Sequence, residues 1–177
     1  GISLLLCLNS SEVLAVDKLK LAQATVAVYV PSKGVTYRGS GVLISPTKVL
    51  TAKHCFTENG KILTSGYVQD FSQKLTWFKT VELAKDSDLA IITLEVPLPY
   101  EPLSISQCMV IEGSKVWVVS WEEPIYRVRE ATIGETHTLL ALSTNEKARL
   151  DRLTDFTPPV NQGTSGAALV DDYTDVV

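Results

Sequence analysis

Short segments typical of β-strands, separated by turn residues, run along most of this chain and constrain its fold more than any other feature. No stretch of helix length in the body shows a 3.6-residue hydrophobic period. Clusters such as Pro31-Ser32-Lys33-Gly34 separate the apolar, β-branched runs. In the first half these runs predict strands at residues 24–30, 35–44, 48–52, 62–68, 75–83 and 89–94. Six strands of this length predict one small closed barrel.

A proline-rich segment divides the chain into two halves. Pro97, Pro99 and Pro102 fall within six residues, and such a segment cannot continue the interior of a sheet. Beyond it, further runs predict strands at 115–121, 125–133, 139–143 and 149–156, followed by a loop at 157–166. The sequence therefore predicts an all-β fold with a barrel at 16–96, a linker at 97–107 and a second barrel at 108–177.

Three short motifs contain the residue types of a nucleophilic serine hydrolase. His54 lies in Thr-Ala-Lys-His-Cys, Asp88 precedes Leu-Ala-Ile-Ile, and Ser165 lies in Gly-Thr-Ser-Gly. A serine hydroxyl is a poor nucleophile at neutral pH, so an imidazole must take its proton as it attacks a carbonyl. A carboxylate must in turn hold that imidazole in one orientation. The motifs predict Ser165 as nucleophile, His54 as base and Asp88 as the orienting group.

The residues around these three resemble the trypsin-like serine peptidases, which have the chymotrypsin fold. In that family the histidine motif reads Thr/Ser-Ala-x-His-Cys, the aspartate opens an apolar strand, and the serine motif reads Gly-x-Ser-Gly. The resemblance implies two six-stranded antiparallel β-barrels with the active site in the cleft between them. It also implies a serine endopeptidase that acts on peptides or proteins through an acyl-enzyme, without a cofactor. Because the family continues past the serine with further strands, the second barrel is expected to be incomplete in this fragment.

The same resemblance extends to the oxyanion hole and the specificity pocket. Glycine lets the backbone aim two N–H groups at one point, and the expected oxyanion donors are the amides of Gly163 and Ser165. Pro159 stands six residues before the serine, where the family has its pocket floor. An apolar floor offers no carboxylate to a cationic side chain, which favours cleavage after small or apolar residues over Lys or Arg.

Two residues compete with the proposed pair of His54 and Asp88. Asp86 rivals Asp88, since a period of two places both on one face of a strand. Asp88 is favoured because the apolar run follows it directly, as in the family pattern. His137 has no such context, and is expected to be an exposed histidine of a strand or loop.

Other classes of function are less well supported by the residues. A non-catalytic relative that binds a partner stays open, since Lys53 replaces a small residue and Thr164 an acidic one that many members carry. An α/β-hydrolase esterase needs Gly-x-Ser-x-Gly and the order Ser, Asp, His, whereas Ala167 stands at the second glycine and the order is reversed. A net charge of -4 without a basic run does not support nucleic-acid binding.

The first fifteen residues resemble the end of a secretory signal peptide. Residues 2–8 are nearly all apolar, 9–12 are polar, and 13–15 offer small residues where a signal peptidase cuts. The segment is too short to span a membrane, and nothing later in the chain is long enough. An extracytoplasmic protein, secreted or periplasmic, is therefore expected, and an apolar N-terminal strand or helix remains the alternative.

The three cysteines allow at most one disulfide in the mature protein. Cys7 would leave with the signal, so only Cys55 and Cys108 could pair, and the sequence does not decide whether they do. In many members of the family the cysteine after the histidine pairs with one about sixteen residues upstream, but Gly39 stands there. The cysteines lack the paired spacing of ligands that a metal site requires.

Overall fold

A computed structural model describes residues 17–106, 113–122, 125–139, 151–157, 165–171, 173, 175 and 176. The described residues include the α-helix α1 (Lys18–Gln23) and a 3₁₀ turn at Lys53–Phe56. The strands are β1 (Thr25–Ser32), β2 (Val35–Ser45), β3 (Lys48–Ala52), β4 (Thr57–Glu58), β5 (Lys61–Ile62), β6 (Tyr67–Gln69), β7 (Leu75–Leu83), β8 (Leu89–Leu94), β9 (Lys115–Glu122), β10 (Ile125–Leu139), β11 (Asp151–Thr157) and β12 (Ala168–Val170).

Six strands of the first half close into the predicted barrel. Their order is β1-β2-β3-β8-β7-β6, and every neighbouring pair is antiparallel. Val26, Val28 and Val30 of β1 are fully buried and pack with Phe56 and Ile92 in the main core. The β-branched and apolar runs thus form strands because their inward side chains fill this core.

The prediction of a barrel strand at residues 62–68 is partly wrong. The chain first makes a separate hairpin of β4 and β5, turning at Asn59 and Gly60, which have φ angles of 49° and 77°. Asn-Gly favours a two-residue turn with positive φ at both positions, so the hairpin takes residues 61 and 62. The barrel strand β6 begins only at Tyr67.

The short helix α1 was not predicted from the sequence. The side chain of Asp17 caps it by accepting a hydrogen bond of 3.1 Å from the amide of Lys20. Leu21 is fully buried in the main core. A six-residue helix with one buried side chain is too short to show a hydrophobic period, which explains the omission.

The proline-rich segment packs along the barrel. Residues 97–104 form no strand, as predicted, yet they are bonded to the barrel. The amide of Leu98 donates to the carbonyl of Pro46 at 2.8 Å, and the amide of Leu103 donates to that of Leu43 at 2.9 Å. The side chains of Leu98 and Leu103 are buried.

The second half forms a four-stranded antiparallel sheet in the order β11-β10-β9-β12. The predicted strands at 115–121 and 125–133 are present, and β10 continues as far as Leu139. Residues 140–143 of one predicted strand and residues 149–150 of another lie outside the described residues. Since the described residues form an open sheet, a second closed barrel remains a prediction.

The two halves share one core and are joined by hydrogen bonds. Val119 and Val170 of the second sheet belong to the same buried cluster as the barrel residues. The indole N–H of Trp121 donates to the hydroxyl of Tyr29 at 3.3 Å, and the hydroxyl of Tyr126 donates to the carbonyl of Gln69 at 3.2 Å. None of the helices in the described part of the chain has the length and apolar character needed to cross a membrane.

Candidate active site

The register of β3 against β8 brings Asp88 to His54. Ala52, the last residue of β3, pairs with Leu89, the first residue of β8. The residue before Leu89 is Asp88, and its carbonyl accepts a hydrogen bond of 3.2 Å from the amide of Lys53. The 3₁₀ turn that starts at Lys53 then places His54 directly over Asp88.

Both carboxylate oxygens of Asp88 bond to His54. Oδ1 accepts from the backbone amide of His54 at 2.9 Å, and Oδ2 lies 2.7 Å from the ring nitrogen Nδ1. A carboxylate only accepts hydrogen bonds, so Nδ1 must carry a proton. In a neutral imidazole the other nitrogen, Nε2, is then an acceptor. This pair therefore holds His54 in the tautomer that a general base needs.

Ser165 completes the arrangement from the second half of the chain. Its Oγ lies 2.9 Å from Nε2 of His54, and its carbonyl accepts a hydrogen bond of 2.7 Å from the amide of Ser40 in β2. The next residue, Gly166, has a φ of 84°. A Cβ at Gly166 would collide with the carbonyl oxygen of Ser40 and the hydroxyl of Thr51, and would stand 3.0 Å from the amide nitrogen of Ala52. The glycine after the serine is therefore required by both backbone angle and space.

Gly39 lies directly against the candidate nucleophile. A Cβ at this position would stand 2.7 Å from the carbonyl oxygen of Ser165 and 3.0 Å from the sulfur of Cys55. Sequence reasoning missed the Ser40 and Gly39 contacts with Ser165. The available signal was a Gly-Ser-Gly segment inside a strand, because such glycines often mark a close approach of another backbone.

Lys53 stands where the family usually has a small residue before its histidine, and it stabilises the loop that carries Asp88. Its ammonium donates to the carbonyl of Ala84 at 2.8 Å. The amide of Ala84 donates to the carbonyl of Leu89 at 2.9 Å, which closes the loop between β7 and β8. Asp86, the rival carboxylate, is exposed in this loop, and it is Asp88 that the structure brings to His54.

Several predicted site residues fall outside the part of the chain that the structure describes. These are Gly163 and Pro159, so the oxyanion pair and the pocket floor stay predictions, and Thr164 and Cys108 also lie outside the described residues. The backbone of His137 lies in β10, opposite Leu153. Within the described residues, no group of three or more His, Cys, Asp or Glu side chains could hold a metal ion.

Cys55, next to His54 in sequence, is a buried thiol that forms no disulfide with the described residues. Burial, and secondarily the negative charge of Asp88, raise its pKa from 9.0 to about 11. The pKa in the folded state thus lies above that in the unfolded state. The contribution of this thiol to stability is therefore complete below about pH 9 and is lost as the pH rises towards 11.

We expect the Cys55 thiol to be unreactive in the folded protein. At pH 8 roughly one molecule in a thousand would carry the thiolate, which is the form that reacts with disulfide reagents. Modification with a disulfide reagent at pH 8, mapped to the Cys55 peptide by mass spectrometry, should be at least about 100-fold slower in the native than in the denatured protein. Comparable rates in the two states would contradict the buried, protonated thiol.

A cavity of about 260 Å³ lies where the two halves meet, beside Asp88. Thr51 and Leu89 line it from the barrel, and Ala167 and Val176 line it from the second half. Because His54 and Asp88 come from the barrel and Ser165 from the second half, the candidate triad also lies at this junction, where ligand sites often form.

Comparison with known proteins agrees with this geometry. The family model described as trypsin-like peptidase domain matches residues 39–177. Among solved structures, the active form of the Rv3671c protease from M. tuberculosis is 21% identical with a TM-score of 0.77, and the match covers 89% of this chain and 69% of that chain. A serine endoprotease from Yersinia pestis is 21% identical with a TM-score of 0.64, covering 89% and 53%. The HtrA-type protease AlgW with a tripeptide is 20% identical with a TM-score of 0.67, covering 90% and 50%.

These structural similarities, at low identity, show the fold, and the family model carries the assignment. The model matches well over half of the chain and includes all three motif residues, His54, Asp88 and Ser165. The resemblance drawn from the motifs is confirmed: this chain belongs to the family of trypsin-like peptidase domains and is a serine-type endopeptidase.

Proposed function

We propose that the chain hydrolyses peptide bonds through an acyl-enzyme intermediate, with Ser165 as nucleophile, His54 as general base and Asp88 as the orienting carboxylate. One observation carries the proposal. A continuous path of hydrogen bonds joins Asp88 Oδ2 to His54 Nδ1 at 2.7 Å and His54 Nε2 to Ser165 Oγ at 2.9 Å. Both distances suit direct proton transfer and orientation without rearrangement.

The order of the proposed chemical steps follows from the protonation of His54 and Ser165. Ser165 Oγ attacks the substrate carbonyl carbon while its proton passes to Nε2 of His54, and the carbonyl electron pair moves onto the oxygen. When the tetrahedral intermediate collapses, the C–N bond breaks and Nε2 returns the proton to the leaving amine. Water then attacks the acyl-enzyme in the same way and releases the acid. Asp88 stabilises the imidazolium present in both halves of the cycle.

The charge that develops on the substrate oxygen needs donors already in place. We assign these to the backbone amides of Gly163 and Ser165, as the motif implies. Anchoring of the Ser165 carbonyl by the amide of Ser40 supports the proposal, because it fixes the backbone that carries the nucleophile.

Access to the site supports catalysis rather than a purely structural role. The His54 side chain is 45% exposed and that of Asp88 is 23% exposed, so the base faces solvent while the carboxylate is shielded. The non-catalytic alternative is not supported, since all three side chains are present and already connected.

We further propose that the protein acts outside the cytoplasm and that residues 16–96, 97–107 and 108–177 are its first barrel, linker and second barrel. The apolar segment at residues 2–8, with small residues at 13–15, supports export through a secretory signal. Fractionation of cells that express the whole protein tests this proposal, and retention of the uncut protein in the cytoplasm would contradict it.

Substitutions of the two aspartates in the β7–β8 loop should have very different effects on activity. Asp88→Asn is expected to lower kcat and the rate of fluorophosphonate labelling at Ser165 by about 10³ to 10⁴-fold, because the amide no longer enforces the tautomer of His54. Asp86→Asn removes an exposed carboxylate two residues away, and should change both rates by less than about twofold. Labelling of Ser165 is read by mass spectrometry, and thermal unfolding confirms that both variants are folded. Equal losses from the two substitutions would refute the assignment of Asp88.

A further inference from the structure

Ser40 lies within β2 and is bonded through each of its polar groups. Its amide donates to the carbonyl of Ser165 at 2.7 Å. Its carbonyl accepts from the hydroxyl of Thr51 at 2.8 Å, and its own hydroxyl accepts from the amide of Trp121 at 3.0 Å. The residue is fully buried. Ser40 therefore joins the backbone of the nucleophile to the barrel on one side and to the second sheet on the other.

The strand register explains why this amide can reach Ser165. Ser40 pairs with Ala27 of β1, but the pairing of β2 with β3 stops one residue away, at Gly41 and Thr51. On that side of the strand the amide of Ser40 bonds to the carbonyl of Ser165. The backbone of Ser165 thus bonds to Ser40 at the position where one more residue of β3 would otherwise pair with β2.

His54 is held by a different set of contacts. Its position depends on β3, on the 3₁₀ turn and on Asp88, all of which belong to the barrel. Ser165 depends on Ser40, through the hydrogen bond to its carbonyl and through the contact of Gly166 with the Ser40 carbonyl. A shift of β2 at Ser40 would therefore move the nucleophile relative to its base.

We propose that the hydroxyl of Ser40 is a positioning group for catalysis. By accepting from the amide of Trp121 it fixes β9 of the second sheet to β2, and so sets the distance between Ser165 Oγ and His54 Nε2. The inference rests on the proposed role of Ser165 as nucleophile. Displacements of about 1 Å at a catalytic centre can cost on the order of 100-fold in rate, so a small relaxation of this contact is measurable.

The test compares Ser40→Ala with Tyr29→Phe in the complete protein. Ser40→Ala removes the acceptor for the amide of Trp121, whereas Tyr29→Phe removes the acceptor for the indole N–H of the same residue. Both substitutions weaken the junction between the barrel and β9, but of the two residues it is Ser40 that touches Ser165. We expect Ser40→Ala to lower kcat and the labelling rate about tenfold with KM within about twofold, and Tyr29→Phe to leave kcat within about twofold. Ser40→Thr, which keeps the hydroxyl, should retain at least about a third of the wild-type kcat.

The results for these variants support or overturn the proposed positioning role of Ser40. A wild-type kcat in folded Ser40→Ala, or the same loss of kcat in Tyr29→Phe, would overturn it. If Ser40→Ala does not fold, amide hydrogen exchange in the wild-type protein decides instead. Reaction of Ser165 with fluorophosphonate should change the exchange rate of the Trp121 amide at least about threefold, and an unchanged rate would count against the coupling. A wild-type protein that never labels at Ser165 would instead overturn the proposed function itself.

Discussion

Alanine substitution of Ser165 is expected to lower kcat for peptide hydrolysis by about 10⁶-fold, as when a well-studied serine peptidase loses its nucleophile. In the proposed mechanism this hydroxyl forms the acyl bond, so the Ser165→Ala variant would keep only a site that binds substrate and polarises its carbonyl. Residual catalysis of roughly 10³ to 10⁴-fold over water is expected from those effects. Steady-state hydrolysis of a peptide substrate measures the loss, and circular dichroism with thermal unfolding checks that the variant is folded.

The histidines provide the controls for this prediction. His54→Ala should lower kcat about as much as Ser165→Ala, and the double variant should lose little more, because the two groups act in one step. His137→Ala should keep kcat within about twofold, since His54 is the histidine that is bonded to the serine. Undiminished hydrolysis by Ser165→Ala, or additive losses in the double variant, would rule out this mechanism.

The barrel and the three motif residues could be predicted because local patterns carry them. Alternating apolar residues indicate where strands lie, and the flanking residues of His54, Asp88 and Ser165 match a known family. What those patterns lack is register. The contact between His54 and Asp88 follows from the pairing of Ala52 with Leu89, which depends on how two strands meet in the folded barrel.

The features that were missed arise from tertiary contacts. The sequence of residues 62–68 is typical of one strand. The Asn-Gly turn, however, places Ile62 in a hairpin, and the barrel strand β6 is only three residues long. Gly39 lies inside a predicted strand, and nothing local in the sequence indicates that it makes room for the carbonyl of Ser165 in particular. The contacts of Ser40 could not be found from the sequence, because its partners come from β3, β9 and the serine loop.

Gly166→Ala is expected to be the most destabilising single-methyl change at this site. The φ of 84° costs an L-residue about 1–2 kcal/mol by itself. The added methyl would also collide with the hydroxyl of Thr51 and with the carbonyl oxygen of Ser40, a backbone atom of a paired strand that cannot turn aside as a flexible side chain could. We therefore expect a loss in the free energy of unfolding on the order of 3–5 kcal/mol and at least about a 100-fold slower labelling of Ser165.

Gly60→Ala is the matched control, because it separates the cost of the backbone angle from that of the collision. Gly60 has a similar φ of 77°, but a Cβ there would meet nothing within 4 Å. Its substitution should cost only about 1–2 kcal/mol and leave labelling within about twofold. Chemical denaturation of both variants measures the difference. A larger cost at Gly166 would show that the contact with Ser40 and Ala52 fixes the serine loop against the barrel, whereas equal costs would show that the loop can move away without loss.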